Sequence, residues 1–163
     1  MALAFGAGVA ITSCVDTDSS LVDFGSQLNS PNDTVYSLLG IMNKMQVVAD
    51  RTIILGEMMG ELSSATETAT TDLKELASFT ATADNRYNAP EDYYAVIQNC
   101  NYYIAHADTA LSLRGEKVFI REYAAVKAFR AWTYLQLAIY YGRVPFFTEP
   151  LMTEVEADPS RYP

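Results

Sequence analysis

The chain has 163 residues, half of them hydrophobic, and a formal net charge of −9 at pH 7. This length can form one domain with a sizeable core, and this hydrophobic content argues against disorder. The acidic excess argues against a nucleic-acid partner and a polybasic membrane contact, and the single histidine, His106, excludes a zinc or iron site built from several histidines.

The N-terminus carries the pattern of a bacterial lipoprotein signal. Residues 2–11 form a short apolar run, and the small residues Thr12 and Ser13 then precede Cys14. This arrangement resembles a lipobox, where the signal peptide is removed and the cysteine sulfur receives a diacylglyceryl group. We therefore interpret residues 1–13 as a signal peptide and Cys14 as the lipid attachment site. Several acyl chains, at about 0.8 kcal/mol per buried methylene, would anchor the chain to a membrane.

The flanking residues bear on this interpretation. Residues 1–13 contain no Lys or Arg, although signal peptides begin with a basic region, so we expect additional residues upstream. The alternative is a buried N-terminal segment in which Cys14 is inert. Residues 14–30 are mostly polar and are interpreted as a tether. Within them, Asp16 and Asp18 resemble the surface-export signal of Bacteroidetes lipoproteins.

A first helix is predicted from a cluster of capping residues. Residues 30–33 combine Ser, Pro, Asn and Asp, which is typical of a helix start. Apolar residues then recur at helical spacing as far as about Gly60, and the pattern allows one long helix or two helices broken near Asp50. The apolar positions that predict the inward face are Val35, Leu38, Leu39, Met42, Met45, Ala49 and Ile53.

Two polar loops and two further helices follow. Residues 63–71 and 80–89 are polar and predict loops, with a short helix between them over residues 72–79. The next helix begins at Pro90, with acidic residues in its first turn, and is predicted to reach about residue 113. Asn101 is placed away from its apolar face. That face consists of Tyr93, Val96, Ile97, Cys100, Ile104, Ala107 and Leu111.

Residues 118–142 predict a helix that is apolar around most of its circumference. Its four charged residues would outweigh the aliphatic gain in a bilayer, so we expect a buried helix of a soluble domain, capped by Gly142 and antiparallel to the preceding helix. A stripe of large residues consists of Phe119, Tyr123, Val126, Phe129, Thr133, Leu137 and Tyr140. A stripe of small residues, expected to admit a neighbouring helix, consists of Ala124, Ala128, Ala131, Leu135 and Ala138.

The end of this helix resembles the SusD/RagB-like outer-membrane lipoproteins. Those proteins have a helix containing Arg-Ala-aromatic and an exit of the form Tyr-Gly-x-Val-Pro. Here Arg130 opens the first motif, and the second runs from Tyr141 to Pro145. Residues 51–62 bear a weaker similarity to the exit of the family's first helix, where an acidic segment similar to Gly-Glu-Leu occurs. A second signature of the family, a helix carrying Tyr, Ile and Asn, is matched by Tyr94, Ile97, Asn101 and Ile104.

The resemblance implies an all-α fold of antiparallel helical hairpins of tetratricopeptide type. It implies that residues 31–163 are a partial SusD-like helical domain, truncated at the C-terminus, because family members continue far beyond this length. It also implies a lipid-anchored protein on the exterior of the outer membrane. Such a protein captures a glycan or other nutrient and delivers it to a TonB-dependent, SusC-like transporter. The alternative is a lipid-anchored, tetratricopeptide-like scaffold that binds proteins only.

The residues that could carry chemistry favour binding without enzyme activity or cofactor. Ser and His do not cluster, and no Gly-rich phosphate loop occurs. The 11 tyrosines suit stacking on sugar rings, but most fall in predicted helices, where core packing explains them. In the loop of residues 80–89, Asn85, Arg86 and Tyr87 combine an aromatic ring with polar groups and are the candidate glycan-binding residues. Cys100 is expected to pack as a small hydrophobe.

Overall fold

The computed structural model describes residues 28–113, 117–153, 155–156, 158 and 160. These residues form helices and no β-strand, which confirms the all-α prediction. Cys14 and the predicted signal peptide lie outside the described residues. The helices are α1 (Pro31–Met59), α2 (Thr71–Ala77), α3 (Pro90–His106), α4 (Ala110–Leu113) and α5 (Lys117–Tyr141).

Helix α1 begins at the predicted capping cluster. The Ser30 hydroxyl accepts a hydrogen bond from the Asp33 backbone N–H at 3.2 Å, and the Asp33 carboxylate accepts one from the Ser30 backbone N–H at 3.2 Å. This reciprocal capping box satisfies donors that would otherwise have no partner. From there the helix runs unbroken to Met59, so the single-helix alternative is the one observed.

The buried face of α1 differs from the predicted one by a rotation about the helix axis. Four of its five buried residues recur every seven residues, at Thr34, Ile41, Val48 and Leu55, a spacing typical of helices that cross at a small angle; the fifth is Met58. The predicted face was wrong at three positions, because α1 is apolar on more than one side. The side that is buried includes Thr34, a polar residue. The predicted inward residues that are exposed are Leu39, Met42 and Ile53.

The predicted helix over residues 90–113 is two helices, because the chain breaks at Ala107. Ala107 is extended, and the adjacent backbone pairs with Leu28. Leu28 N–H donates to His106 C=O at 2.8 Å, and Asp108 N–H donates to Leu28 C=O at 3.1 Å. The Asp108 carboxylate then accepts from the Ala110 N–H at 2.9 Å and starts α4. This connection also fixes the segment that enters α1.

The three long helices pack side by side, with α3 antiparallel to both neighbours. At one end of the α3–α5 pair the rings of Tyr103 and Tyr123 lie 6.4 Å apart, and at the other end the rings of Tyr93 and Tyr141 lie 6.1 Å apart. These contacts confirm that α3 and α5 are antiparallel. The shared core includes Ile41, Val48, Tyr93, Val96, Ile97, Cys100, Tyr103, Val126 and Leu137.

Helix α5 faces the core with its large residues, as predicted, while its small residues remain outside. Phe119, Val126 and Leu137 are buried, whereas Leu135 and the alanines of the small stripe are exposed. No helix in the described part of the chain covers that stripe, contrary to the prediction that it admits a neighbouring helix. None of the helices in the described part of the chain is both long and apolar enough to cross a lipid bilayer.

A strap, residues 143–151, leaves α5 after Gly142 and crosses the outer surface of α3 and α5. Gly142 has φ +72°, a left-handed conformation that glycine adopts without a Cβ clash. Tyr94 on α3 and Tyr134 on α5 donate hydrogen bonds to strap carbonyls, at 2.9 Å to Pro145 and 2.7 Å to Phe147. The strap backbone is therefore held by side chains of two helices.

Two amide side chains of α3 complete the attachment of the strap. Gln98 exchanges two hydrogen bonds with the Leu151 backbone, at 2.7 and 2.9 Å. Asn101 is fully buried; its amide N–H groups donate to strap carbonyls, and its oxygen accepts from Arg130 at 2.7 Å. The sequence placed Asn101 away from the apolar face of the helix but did not predict its burial, which results from the strap that covers it.

Candidate functional site

An open cleft lies where the C-terminal ends of α1 and α5 meet α2 and the loop of residues 79–88. Its volume is about 440 Å³, within the range of small-molecule sites. The lining consists of Leu55, Met59, Leu76, Phe79, Ala81, Tyr87, Asn88, Tyr140 and Tyr141. Four of these side chains are aromatic, and three of the four are tyrosines that carry a hydroxyl at the edge of the ring.

Tyr140 enters the cleft because α1 offers a glycine opposite it. A Cβ atom on Gly56 would lie 3.2 Å from the Tyr140 hydroxyl, so the glycine permits this close approach. The hydroxyl donates a hydrogen bond to the Thr52 carbonyl at 3.0 Å. Burial raises the pKa of Tyr140, and it raises the pKa of Tyr141 to about 12. Both phenols are therefore neutral at physiological pH.

Phe79 forms part of the cleft wall directly after α2. Its φ is +57°, and its side chain is 57% exposed. The N–H of Phe79 donates to the Leu76 carbonyl at 3.1 Å, and the N–H of Thr80 donates to the Glu75 carbonyl at 2.9 Å. These two bonds define a Schellman motif, whose left-handed position is usually occupied by glycine.

Asn85 is buried beneath the loop, with 3% of its surface exposed. Its amide N–H groups donate to the Asp72 carbonyl at 3.0 Å and to the Glu75 carboxylate at 2.9 Å. Its oxygen accepts from the Tyr87 backbone N–H at 3.1 Å. In this structure Asn85 therefore holds the loop against α2 and positions Tyr87.

Arg86 and Tyr87 lie at the surface of the same loop. The Arg86 guanidinium carbon is 5.1 Å from the centre of the Tyr87 ring, a cation–π contact, and Arg86 is exposed. Tyr87 is half-buried, packs against Leu55, Met58 and Leu76, and lines the cleft. Of the three residues predicted from the sequence, Tyr87 is the one that lines the cleft.

Several cleft residues were not identified from the sequence. Phe79 was placed at the end of a short helix, and Tyr140 and Tyr141 were assigned to the helix core or to a motif. Asn88 lies in the same loop as Tyr87, and its amide donates to the Thr82 carbonyl at 3.2 Å. Asn88 could have been identified from the sequence because it directly follows Tyr87. For the others, only the tertiary fold brings them to the cleft.

The cleft suits non-covalent binding of an uncharged, partly apolar ligand. Among the described residues that line it there is no Asp, Glu, Lys, Arg or His. No group of three or more His, Cys, Asp and Glu that could hold a metal ion occurs in the described ranges. Cys100 lies elsewhere, fully buried in the core, and burial raises the pKa of its thiol to about 12. Its packing agrees with the predicted role as a small hydrophobe.

Comparison of the chain with protein-family models, curated proteins and solved structures finds no match.

Proposed function

We propose that the chain is part of a SusD/RagB-like surface lipoprotein that binds a glycan or other nutrient and delivers it to a TonB-dependent, SusC-like outer-membrane transporter. In this proposal Cys14 carries the lipid anchor, the protein faces the exterior of the outer membrane, and it performs no chemistry. The α3–α5 pair corresponds to a helical hairpin of tetratricopeptide type.

The observation that carries the proposal is the aromatic cleft beside Tyr87. A pyranose ring has apolar C–H faces and hydroxyls at its rim. A cleft with aromatic walls, in which Tyr87 supplies a hydroxyl and Asn88 an amide, matches both features, while the Tyr140 hydroxyl is already bonded to the Thr52 carbonyl. Because the described lining has no charged side chain, the ligand class it suits is an uncharged saccharide. An anionic ligand would also meet the repulsion of a chain with net charge −9.

The strap lends independent support to the family resemblance. Tyr94, Asn101 and Arg130 all belong to the motifs on which the resemblance depends, and all three contact the strap that begins with the Val-Pro exit. Residues that match separate parts of a family signature thus act together on one segment. A chance similarity of alanine-rich helices gives no reason for that agreement.

Native affinity gels test the proposal directly. The full chain would be run in gels containing starch, dextran, mannan or xylan, with pectin as the anionic comparison. We expect retardation by at least one neutral polysaccharide, and Tyr87→Ala should weaken the binding about tenfold, as expected when a half-buried aromatic contact is removed. Tyr36→Ala is the matched control, because Tyr36 is an exposed tyrosine on α1 that does not line the cleft.

The runner-up, a lipid-anchored scaffold that binds proteins only, is favoured by a different observation. The outward face of α5 presents Leu135 and Ile139, which are 55% and 62% exposed, beside the small stripe of alanines. Exposed apolar faces of this kind are common at protein interfaces. The same gels separate the two functions: a chain retarded by none of the five polysaccharides would contradict glycan capture and favour the scaffold.

A further inference from the structure

Phe79 combines two properties that work against the stability of the fold. A bulky side chain at φ +57° clashes with its own backbone, and a phenylalanine ring with 57% of its surface exposed loses most of the gain from burial. Residues held in such conformations cluster at functional sites, where the fold around them fixes the strained geometry. Phe79 lies on the wall of the cleft.

Two other helices of the same chain show what the position requires. Helix α5 ends in a left-handed residue that is glycine, Gly142, with φ +72°. Helix α1 ends in the same Schellman motif as α2, with Glu61 at φ +58°. There the Leu62 N–H donates to the Glu57 carbonyl at 3.0 Å. Glu61 is a polar residue in open solvent, whereas α2 places an aromatic ring at the equivalent position beside a cleft.

We propose that Phe79 is a ligand-contacting residue, whose ring forms a stacking surface for an uncharged sugar ring held in the cleft together with Tyr87. This inference rests on the proposed glycan-binding function and adds a residue and a ligand geometry to it. The two hydrogen bonds of the Schellman motif, at 3.1 and 2.9 Å, fix the backbone at Phe79. The position of the Cα atom from which the exposed ring extends is therefore fixed as well. A preorganised aromatic wall binds with little loss of conformational freedom.

The test separates the ring from the backbone strain with three substitutions. Phe79→Ala and Phe79→Gly both remove the ring, and they differ only by the Cβ atom that a left-handed residue disfavours. Phe79→Tyr keeps the ring. Glu61→Gly is the matched control, because it removes the same strain at the end of α1 and does not touch the lining of the cleft.

Binding is measured in gels containing starch, dextran, mannan or xylan, and stability is measured by thermal melting. We expect Phe79→Ala and Phe79→Gly to weaken binding about tenfold, and Phe79→Tyr and Glu61→Gly to bind within about twofold of the unsubstituted chain. We expect Phe79→Gly to melt about 2–4 °C above Phe79→Ala, and Glu61→Gly to melt above the unsubstituted chain.

Each remaining outcome overturns a specific statement. If Phe79→Ala and Phe79→Gly bind normally while Tyr87→Ala does not, the role of Phe79 is wrong and the proposed function stands. If the unsubstituted chain binds neither these four polysaccharides nor pectin, both are wrong. If Phe79→Gly melts no higher than Phe79→Ala, the left-handed backbone is not a source of strain, and the argument from strain to function fails.

Discussion

Replacing Asn101 with alanine should destabilise the fold far more than a typical substitution in a helix. The Asn101 amide donates to the Glu149 carbonyl at 3.1 Å and makes a longer bond, 3.4 Å, to the Phe147 carbonyl. Its oxygen accepts from the Arg130 guanidinium at 2.7 Å. The side chain is fully buried, so water does not replace these bonds while the strap is in place.

The magnitude follows from the three bonds. The neutral bond to Glu149 contributes about 1 kcal/mol, the longer bond to Phe147 contributes less, and the bond from the charged Arg130 contributes about 1.5–3 kcal/mol. The Phe147 carbonyl keeps the hydroxyl of Tyr134 as a donor at 2.7 Å, so it is not left unpaired. The sum is about 3 kcal/mol, equivalent to a fall of roughly 6–12 °C in melting temperature for a chain of this size.

Urea denaturation followed by circular dichroism measures this loss, and Asn99→Ala is the matched control. Asn99 is also an asparagine on α3, but among the described residues its amide donates to Ala95 of its own helix, at 2.6 Å, and not to the strap. We expect Asn99→Ala to change the free energy of unfolding by less than about 0.5 kcal/mol. If Asn101→Ala costs no more than Asn99→Ala, the strap is not held by the contacts described here.

A double-mutant cycle tests the same contact from the other side. Arg130 also donates to the Thr148 carbonyl at 3.2 Å, so Arg130→Met should weaken the strap in its own right. Because Asn101 and Arg130 contact each other directly, their effects should not add, and we expect a coupling energy of about 1–2 kcal/mol. Additive effects within experimental error would contradict a shared hydrogen-bond network.

Two further predictions concern buried titratable groups. Burial raises the pKa values of Tyr94, Tyr103 and Tyr141 to about 12, against about 10 in the unfolded chain. The stability linked to these neutral phenols is fully present below pH 10 and is lost as the pH rises towards 12. The urea concentration at the unfolding midpoint should therefore decrease as the pH is raised from 10 to 11.5. A constant midpoint over that range would contradict the burial of these phenols. Burial likewise raises the pKa of the Cys100 thiol to about 12. In a Cys14→Ser background, a thiol reagent at pH 8 should therefore react with Cys100 only after urea is added. Rapid reaction of the folded chain would contradict the buried position of Cys100.

The apolar face of α3 could be predicted from the sequence because its buried residues recur at helical spacing. Tyr93, Val96, Ile97 and Cys100 repeat at helical spacing, and all four are fully buried. A pattern of this kind has one solution, since a rotation of the helix would expose every large side chain together. In α5, which is apolar on most sides, the inward face could be predicted because the large side chains lie on one stripe. The helix caps at Ser30 and Gly142 could also be predicted from the sequence, because these residue types are typical of helix ends.

Helix α1 could not be oriented from the sequence because it is apolar on more than one side. Leu39, Met42 and Ile53 compete with Ile41 and Val48 for the inward face, and hydrophobicity alone does not choose between the two sets. The packing of α3 and α5 makes the choice. It also buries Thr34, whose hydroxyl is satisfied by the Pro31 carbonyl at 3.1 Å in its own first turn.

The break between α3 and α4 and the burial of Asn101 have a common cause. Both depend on segments that are distant in sequence: Leu28 pairs with the chain at Ala107, and the strap covers Asn101. A polar residue in a helix reads as exposed when only its neighbours in sequence are considered. Its burial becomes favourable when a segment some 46 to 48 residues away supplies carbonyl groups to its amide.

The strap and the cleft differ in how far a sequence motif can report them. The strap is held by side chains at fixed helical spacings, with Tyr94, Gln98 and Asn101 on one face of α3, so any chain that keeps this attachment keeps the spacing. The cleft is formed by a loop and by helix ends, whose residues have no fixed spacing, and the loop is held by Asn85 through contacts specific to α2. A resemblance carried by the strap residues therefore concerns the helical frame and carries no information about a ligand. Substitutions at Phe79 and Tyr87 therefore test the cleft without removing any of the hydrogen bonds that hold the strap.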